Sequence, residues 1–299
     1  IMKQVEERYI SLLTDFGFKR IFGTVMNKDL LICFLNSLFN GRQVVKDVSY
    51  LNPEHVGDVY TDRKAIFDVY CEGENGEKFI VEMQNAYQAY FKDRSLFYST
   101  FPIREQAPKG NDWDFKLNHV YTVALLNFNM NEDAFDKEKI RHHVQLCNTA
   151  THKIFYDKLE FIYVEIAKFN KTLEELETLY EKWLYALKNL YKLTQRPKEL
   201  CDKVFDRLFE EAEIAKFTPQ EMREYEASKM AYRDIKNSID TAKQEGLAEG
   251  MEKGMKKGME KGMNQKALDI ARNMLADSVD INLIMKYSGL TQEQIEKLK

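Results

Sequence analysis

Ile66-Phe67-Asp68-Val69-Tyr70-Cys71, followed by Lys78-Phe79-Ile80-Val81-Glu82-Met83-Gln84, decides the fold. Both runs are short and rich in aromatic and β-branched residues, and the glycine-containing stretch between them reads as a turn, so together they predict a hairpin. Side chains on a strand alternate between faces. Phe79, Val81 and Met83 therefore point one way, while Ile80, Glu82 and Gln84 point the other. In the first strand Ala65, Phe67, Val69 and Cys71 fall on one face, and Asp68 lies opposite with Ile66 and Tyr70. An aspartate in mid-strand is out of place by propensity, so its position needs a reason.

Register decides whether Asp68 and Glu82 meet. A two-residue Asn75-Gly76 turn sets Asp68 opposite Met83 and parts the carboxylates. A three-residue turn of Glu74, Asn75 and Gly76, with Gly76 left-handed, pairs Gly73 with Glu77 and puts Asp68 across from Glu82. Two carboxylates so close repel unless a cation lies between them. Hard oxygen donors suit Mg²⁺ or Mn²⁺, which can activate water and offset charge on a phosphodiester. The alternative is a half-solvated hairpin face that carries two acids and a glutamine.

Around the hairpin, apolar residues at helical spacing predict two helices between residues 9 and 39, split near residues 23 to 27 and stopped by Asn40-Gly41. Alternating apolar residues predict a strand at 44–51, and a loop at 53–58 follows. Residues 85–106 read as an amphipathic helix with Tyr87, Tyr90, Phe91, Phe97, Tyr98 and Phe101 on its sheet-packing side. Residues 120–128 and 161–167 are apolar enough for buried strands, with a weaker candidate at 143–147. Strands interleaved with helices predict an α/β (α+β) core.

After Phe169 the texture becomes helical. Thr172-Leu173-Glu174-Glu175 is a capping box expected to open a helix carrying Leu176, Leu179, Tyr180, Trp183 and Leu187, and Pro197 and Pro219 mark breaks. Gly246, Gly250, Gly254, Gly258 and Gly262 repeat every four residues, each followed by Leu or Met. Each costs a helix ~1 kcal/mol relative to alanine, so this segment needs a partner or frays into a linker. A homo-oligomer through the C-terminal helices fits the first case. The expected divisions are a domain at 1–170, a helical region at 171–243, the glycine repeat at 244–266 and a small helical module at 267–299. No helix-turn-helix or zinc finger is recognised in the sequence.

Hydrophobic residues make up 44% of the chain and charged residues 31%, as a globular protein requires. A net charge of −4 is unlike a protein that coats DNA through many phosphate contacts, although an acidic total can conceal a local basic face. The four cysteines are widely spaced, which supports neither a zinc site nor a disulfide framework. No stretch approaches the ~18 apolar residues of a membrane span, and the first twenty residues lack an apolar leader core. The expectation is a cytoplasmic chain with no membrane attachment.

The sequence resembles the PD-(D/E)XK nuclease-like transposases of bacteria, also called recombination-promoting nucleases. The resemblance rests on Thr14-Asp-Phe-Gly-Phe-Lys-Arg-Ile-Phe-Gly23, Phe67-Asp68, Phe79-Ile-Val-Glu-Met-Gln84, Arg94 with Tyr98, and Tyr163-Val-Glu-Ile-Ala-Lys-Phe169. It continues through Arg233-Asp234 into the glycine repeat and so covers nearly the whole chain. It implies a restriction-endonuclease-like mixed sheet flanked by helices, followed by an all-helical C-terminal region, and a metal-dependent DNA endonuclease acting in recombination or transposition. Asp68 and Glu82 become the metal-binding acids, with the Met83 carbonyl as third ligand. Gln84 stands where the wider superfamily has lysine and offers only a neutral amide. Arg94 is one source of the missing cation; otherwise it snorkels past the aromatics to a surface acid. Asp15 and Lys19 read first as a helical ion pair. His142 and His143 read as surface or loop residues, and Glu165 with Lys168 as a buried or edge ion pair. A nuclease fold kept only for DNA binding or assembly is the competing function.

Overall fold

The computed structural model describes residues 7–55, 65–107 and 113–298. Thr14 opens helix α1 (Asp15–Phe22) by accepting the Gly17 amide at 3.1 Å. One 3₁₀ turn (Val25–Asn27) separates it from α2 (Lys28–Phe39), which buries Leu30, Leu31, Phe34, Leu35 and Leu38. Asn40 and Gly41, both left-handed, end α2 where the sequence placed its stop.

Five strands follow: β1 (Val48–Tyr50), β2 (Glu54–His55), β3 (Ala65–Ile66), β4 (Val69–Gly73) and β5 (Lys78–Gln84). Of the loop expected at 53–58, residues 56–58 lie outside the described residues, while Glu54 and His55 pair with Ile66 and Ala65. The strand expected at 65–71 is interrupted at Phe67 and Asp68, so Asp68 sits at a bend rather than in mid-strand. Phe67 consequently leaves the face assigned by alternation. It packs with Tyr70 and Ile80, edge-on to Tyr98 and Phe101.

The turn is the three-residue one. Gly76 has φ +82°, and the Gly73 amide donates to the Glu77 carbonyl at 2.8 Å. Val69 opposes Val81, Tyr70 opposes Ile80 and Cys71 opposes Phe79, which carries Asp68 to the level of Glu82.

Helix α3 (Phe91–Glu105) starts six residues later than expected. Its buried side is Phe91, Ser95, Ser99 and Pro102, whereas Tyr87, Tyr90 and Phe97 are exposed. Of the six aromatics expected on the inner side, Phe91, Tyr98 and Phe101 do pack against the sheet, and Ser95 and Ser99 fill the rest of that face. The remaining strands are β6 (Val120–Leu126), β7 (Arg141–Cys147) and β8 (Ile154–Glu165). The six-stranded sheet runs β1-β4-β5-β6-β8-β7; its centre, β5-β6-β8, is parallel and the outer pairings are antiparallel. Every residue of β6 is buried, as a central strand covered on both faces must be.

On one face Phe79, Val81, Met83, Val123 and Val164 join the core of α1 and α2. The segment after residue 170 enters this same core instead of forming a separate region. Thr172 does form its capping box, but around a 3₁₀ turn; a second box, Thr178 with Glu181, opens α4 (Leu179–Asn189). From α4, Trp183 lies 5.6 Å from Phe22, 5.9 Å from Phe34 and 5.1 Å from Phe205 of α5 (Lys203–Glu211), by ring centroids. The segment before α1 is tied to the same region: the Ile10 amide donates to the Ala212 carbonyl and the Ile214 amide to the Arg8 carbonyl, both at 3.0 Å.

Helix α6 (Pro219–Ala276) contains the glycine repeat as continuous helix. One compact unit is Ile1–Lys236 and a second is Asn237–Lys299. In the second, Ala271 of α6 packs with Ile284 of α7 (Ile281–Ser288) and Ile295 of α8 (Gln292–Glu296). Among the described residues, no single helix is long and apolar enough to cross a membrane.

Candidate active site

The bend at Asp68 rearranges the hairpin ladder at its open end. Regular pairing would continue to Phe67 opposite Met83, where the two residues exchange amide and carbonyl bonds. Here the Phe67 amide donates to the Pro53 carbonyl at 3.0 Å, and the Met83 amide donates to Asp68 Oδ2 at 2.8 Å. Asp68 is thus fixed by backbone, and the Met83 carbonyl loses the donor that a continuous ladder supplies.

Glu82 lies beside it on β5, 6% exposed. Gln84 Nε2 donates to Glu82 Oε2 at 3.0 Å, and Arg94 Nη2 stands 3.9 Å from that oxygen. Glu82 Oε1 is buried with no hydrogen-bond partner among the described residues. Burial first, and then the charge of Asp68, push the Glu82 carboxyl up to about 8, while Arg94, Gln84 and Lys19 pull it back. Burial likewise raises Asp68, against the opposing effects of the Met83 amide and Lys19.

The hairpin thus brings Asp68, Glu82 and Gln84 together, and α3 adds Arg94. Arg94 donates to Gln88 Oε1 at 2.6 Å and lies over the rings of Phe91 and Tyr98. Lys19 forms its helical pair with Asp15 at 2.6 Å, as the spacing predicts, but its ammonium also stands 3.9 Å from Asp68 Oδ1. That approach depends on how α1 packs and has no sequence signal beyond Lys19 lying within a shared motif.

A divalent cation fits this donor set. An unpartnered buried carboxylate oxygen, a second fixed carboxylate and a backbone carbonyl are all hard donors, and a cation relieves the repulsion between the two acids. No group of three or more His, Cys, Asp or Glu side chains suited to a metal occurs among the described residues, so the third donor at this pair has to come from backbone or water.

The histidines divide as adjacent strand residues do. His142 is buried rather than on the surface, and bonds Glu165 Oε2 at 2.7 Å; Lys168 reaches the same oxygen at 2.5 Å, forming the expected ion pair. His143 faces the other way, towards Glu160. Both clusters brace the β7–β8 edge.

A mixed sheet that presents two carboxylates at the carboxyl end of a central strand, with helices on both faces, defines the PD-(D/E)XK nuclease fold. The chain belongs to the PD-(D/E)XK nuclease family transposases, whose sequence model matches residues 12–242. A second match, over residues 264–299, is to the C-terminal helix-turn-helix domain of the Rpn/YhgA-like nuclease family. This corrects the expectation that the tail holds no DNA-reading motif. Its signal was the Gly289 turn between two short helices, with a Thr291–Gln294 capping box opening the second. Comparison with curated proteins and with solved structures finds no match.

Proposed function

We propose that the chain is a deoxyribonuclease that hydrolyses phosphodiester bonds with Mg²⁺ or Mn²⁺ held by Asp68, Glu82 and the Met83 carbonyl. The observation that carries this is the unpartnered Glu82 Oε1, buried beside a second carboxylate where the ladder opens. Bound there, the cation would supply Lewis acidity to the phosphate and a water of lowered pKa. The chain's own residues set the geometry. The Met83 amide orients Asp68, Gln84 holds one Glu82 oxygen so that the other stays free, and Arg94 adds positive charge from the α3 side.

DNA is the proposed substrate, since the helix-turn-helix match supports duplex binding, and strand breakage during recombination or transposition fits the family. Supercoiled plasmid incubated with the full chain and Mg²⁺ should be nicked or linearised. Asp68→Ala should reduce cleavage by at least about 10³-fold, and equal cleavage by both proteins would sink the assignment. Neutral Gln84 favours a second reading, a nuclease fold retained for DNA binding. Under that reading calorimetry finds no Mg²⁺ affinity that Glu82→Ala removes. Four free thiols in the freshly isolated protein would support the proposed cytoplasmic setting.

A further inference from the structure

Strand β5 supplies no positive charge to the reaction. The Gln84 amide is neutral and already donates to Glu82. Phosphoryl transfer nevertheless builds negative charge on the non-bridging oxygens, and preorganised donors aimed at that charge are where much of the rate comes from.

Two cations approach the acid pair among the described residues. Arg94 is committed on the Glu82 side: it donates to Gln88 and its guanidinium lies 5.5 Å and 5.7 Å from the ring centres of Phe91 and Tyr98. Lys19 is placed differently. Its backbone belongs to α1, which Thr14 caps and which buries Phe18, Ile21 and Phe22, so its base is fixed. Its side chain is 40% exposed and has one close partner, Asp15 at 2.6 Å. At 3.9 Å from Asp68 Oδ1 it is too far for a hydrogen bond, so donors of the ammonium remain available. It also lines an open cleft of about 810 Å³ between α1 and the first turns of α6, whose wall includes Asn85, Ser228 and Tyr232. Asp68 and Glu82 do not line this cleft; what brings a phosphate at the acid pair within reach of Lys19 is the 3.9 Å between its ammonium and Asp68 Oδ1.

We propose that Lys19 is the cation of the phosphodiester reaction, filling from α1 the part that Gln84 leaves empty on β5; this rests on the nuclease assignment above. Its ammonium donates to a non-bridging phosphoryl oxygen. The water oxygen forms its bond to phosphorus as the bond to the leaving sugar oxygen breaks, the water gives its proton to solvent, and the sugar oxygen takes one up. Lys19 remains protonated throughout. Asp15 is a positioning residue that holds the ammonium beside the acids.

Single-turnover plasmid cleavage by the full chain with Mg²⁺ tests this. Lys19→Met should slow cleavage about 10²- to 10³-fold, with melting temperature and calorimetric Mg²⁺ affinity close to wild type. Lys19→Gln repeats the test if the methionine variant melts early. Adding Gln84→Lys to Lys19→Met should recover at least tenfold, because the charge returns from the strand. Cleavage by Lys19→Met at the wild-type rate overturns the proposal. So does loss of Mg²⁺ affinity in parallel with rate, since Lys19 would then only support the acid pair. If wild type cleaves no faster than Asp68→Ala, the nuclease assignment itself falls and takes this inference with it.

Discussion

In the metal-free chain Glu82 keeps its proton up to about pH 8, because burial and Asp68 both oppose ionisation. The unfolded chain releases that proton near the ordinary value of 4.5. Between these values the unfolded state binds fewer protons than the folded one, so stability is full below about pH 4.5 and declines as pH rises towards 8. Asp68, also raised, adds to the decline. In EDTA, melting should therefore fall by on the order of 10–20 °C across this window, and Glu82→Gln should flatten most of the drop. A wild-type chain that melts identically at pH 5 and pH 8.5 would contradict the burial of this carboxyl. At the turn, Gly76→Ala places a Cβ 2.4 Å from Asn118 Nδ2 at φ +82°. It should cost about 1–2 kcal/mol in denaturant unfolding. Alternation put Glu82 and Gln84 on one face of β5, and of the two turns left open by the sequence the three-residue one brings Asp68 level with Glu82. The bend at Asp68 was not legible, because it follows from Phe67 turning to pack with Tyr98 and Phe101. The reach of Lys19 was hidden for a similar reason: it depends on how α1 sits on the sheet.

Among the elements, α4 joins the later helical segment to α1 and α2. Trp183→Ala removes a fully buried ring set among Phe22, Phe34 and Phe205, and should destabilise the fold by about 3–5 kcal/mol in chemical denaturation. In α6 each repeat glycine faces open space, and Leu247, Met251, Met255, Met259 and Met263 are exposed. Replacing all five glycines with alanine should stabilise that helical stretch by ~1 kcal/mol per site and slow amide exchange across residues 245–266; unchanged exchange would mean that the glycines do not limit the helix. Helix periodicity and caps showed α1, α2 and the general course of the tail. They were half right at α3, where Phe91, Tyr98 and Phe101 pack inward beside Ser95 and Ser99 while Tyr87, Tyr90 and Phe97 stay exposed, and they failed at Thr172, where a true capping box introduces only a 3₁₀ turn.

For the whole molecule, the proposed function assigns cutting to the nuclease sheet and holding of DNA to the segment with the helix-turn-helix match. Residues 264–299 carry five basic and five acidic side chains, so this domain offers few phosphate contacts. If it provides most of the grip, the slope of log K against log salt, measured by duplex anisotropy, should be no steeper than about −4.5. A steeper slope would place additional contacts on the nuclease unit. The mixed α/β core was readable from interleaved strand and helix patterns. At residue 170 the sequence changes texture, while the hydrophobic core continues past it to Trp183, Leu187 and Phe205. The pairing of residues 8 and 10 with 212 and 214 bears on how the protein is made. During synthesis residues 8 and 10 meet their partners only after about two hundred further residues have been made, roughly 10–40 s later at typical elongation rates. Trp183 and Phe205 also arrive long after the Asp68–Glu82 hairpin. A nascent chain bearing both acids therefore lacks the support that fixes α1 and Lys19, and under the proposed function competence to cut would wait until synthesis is well past the sheet.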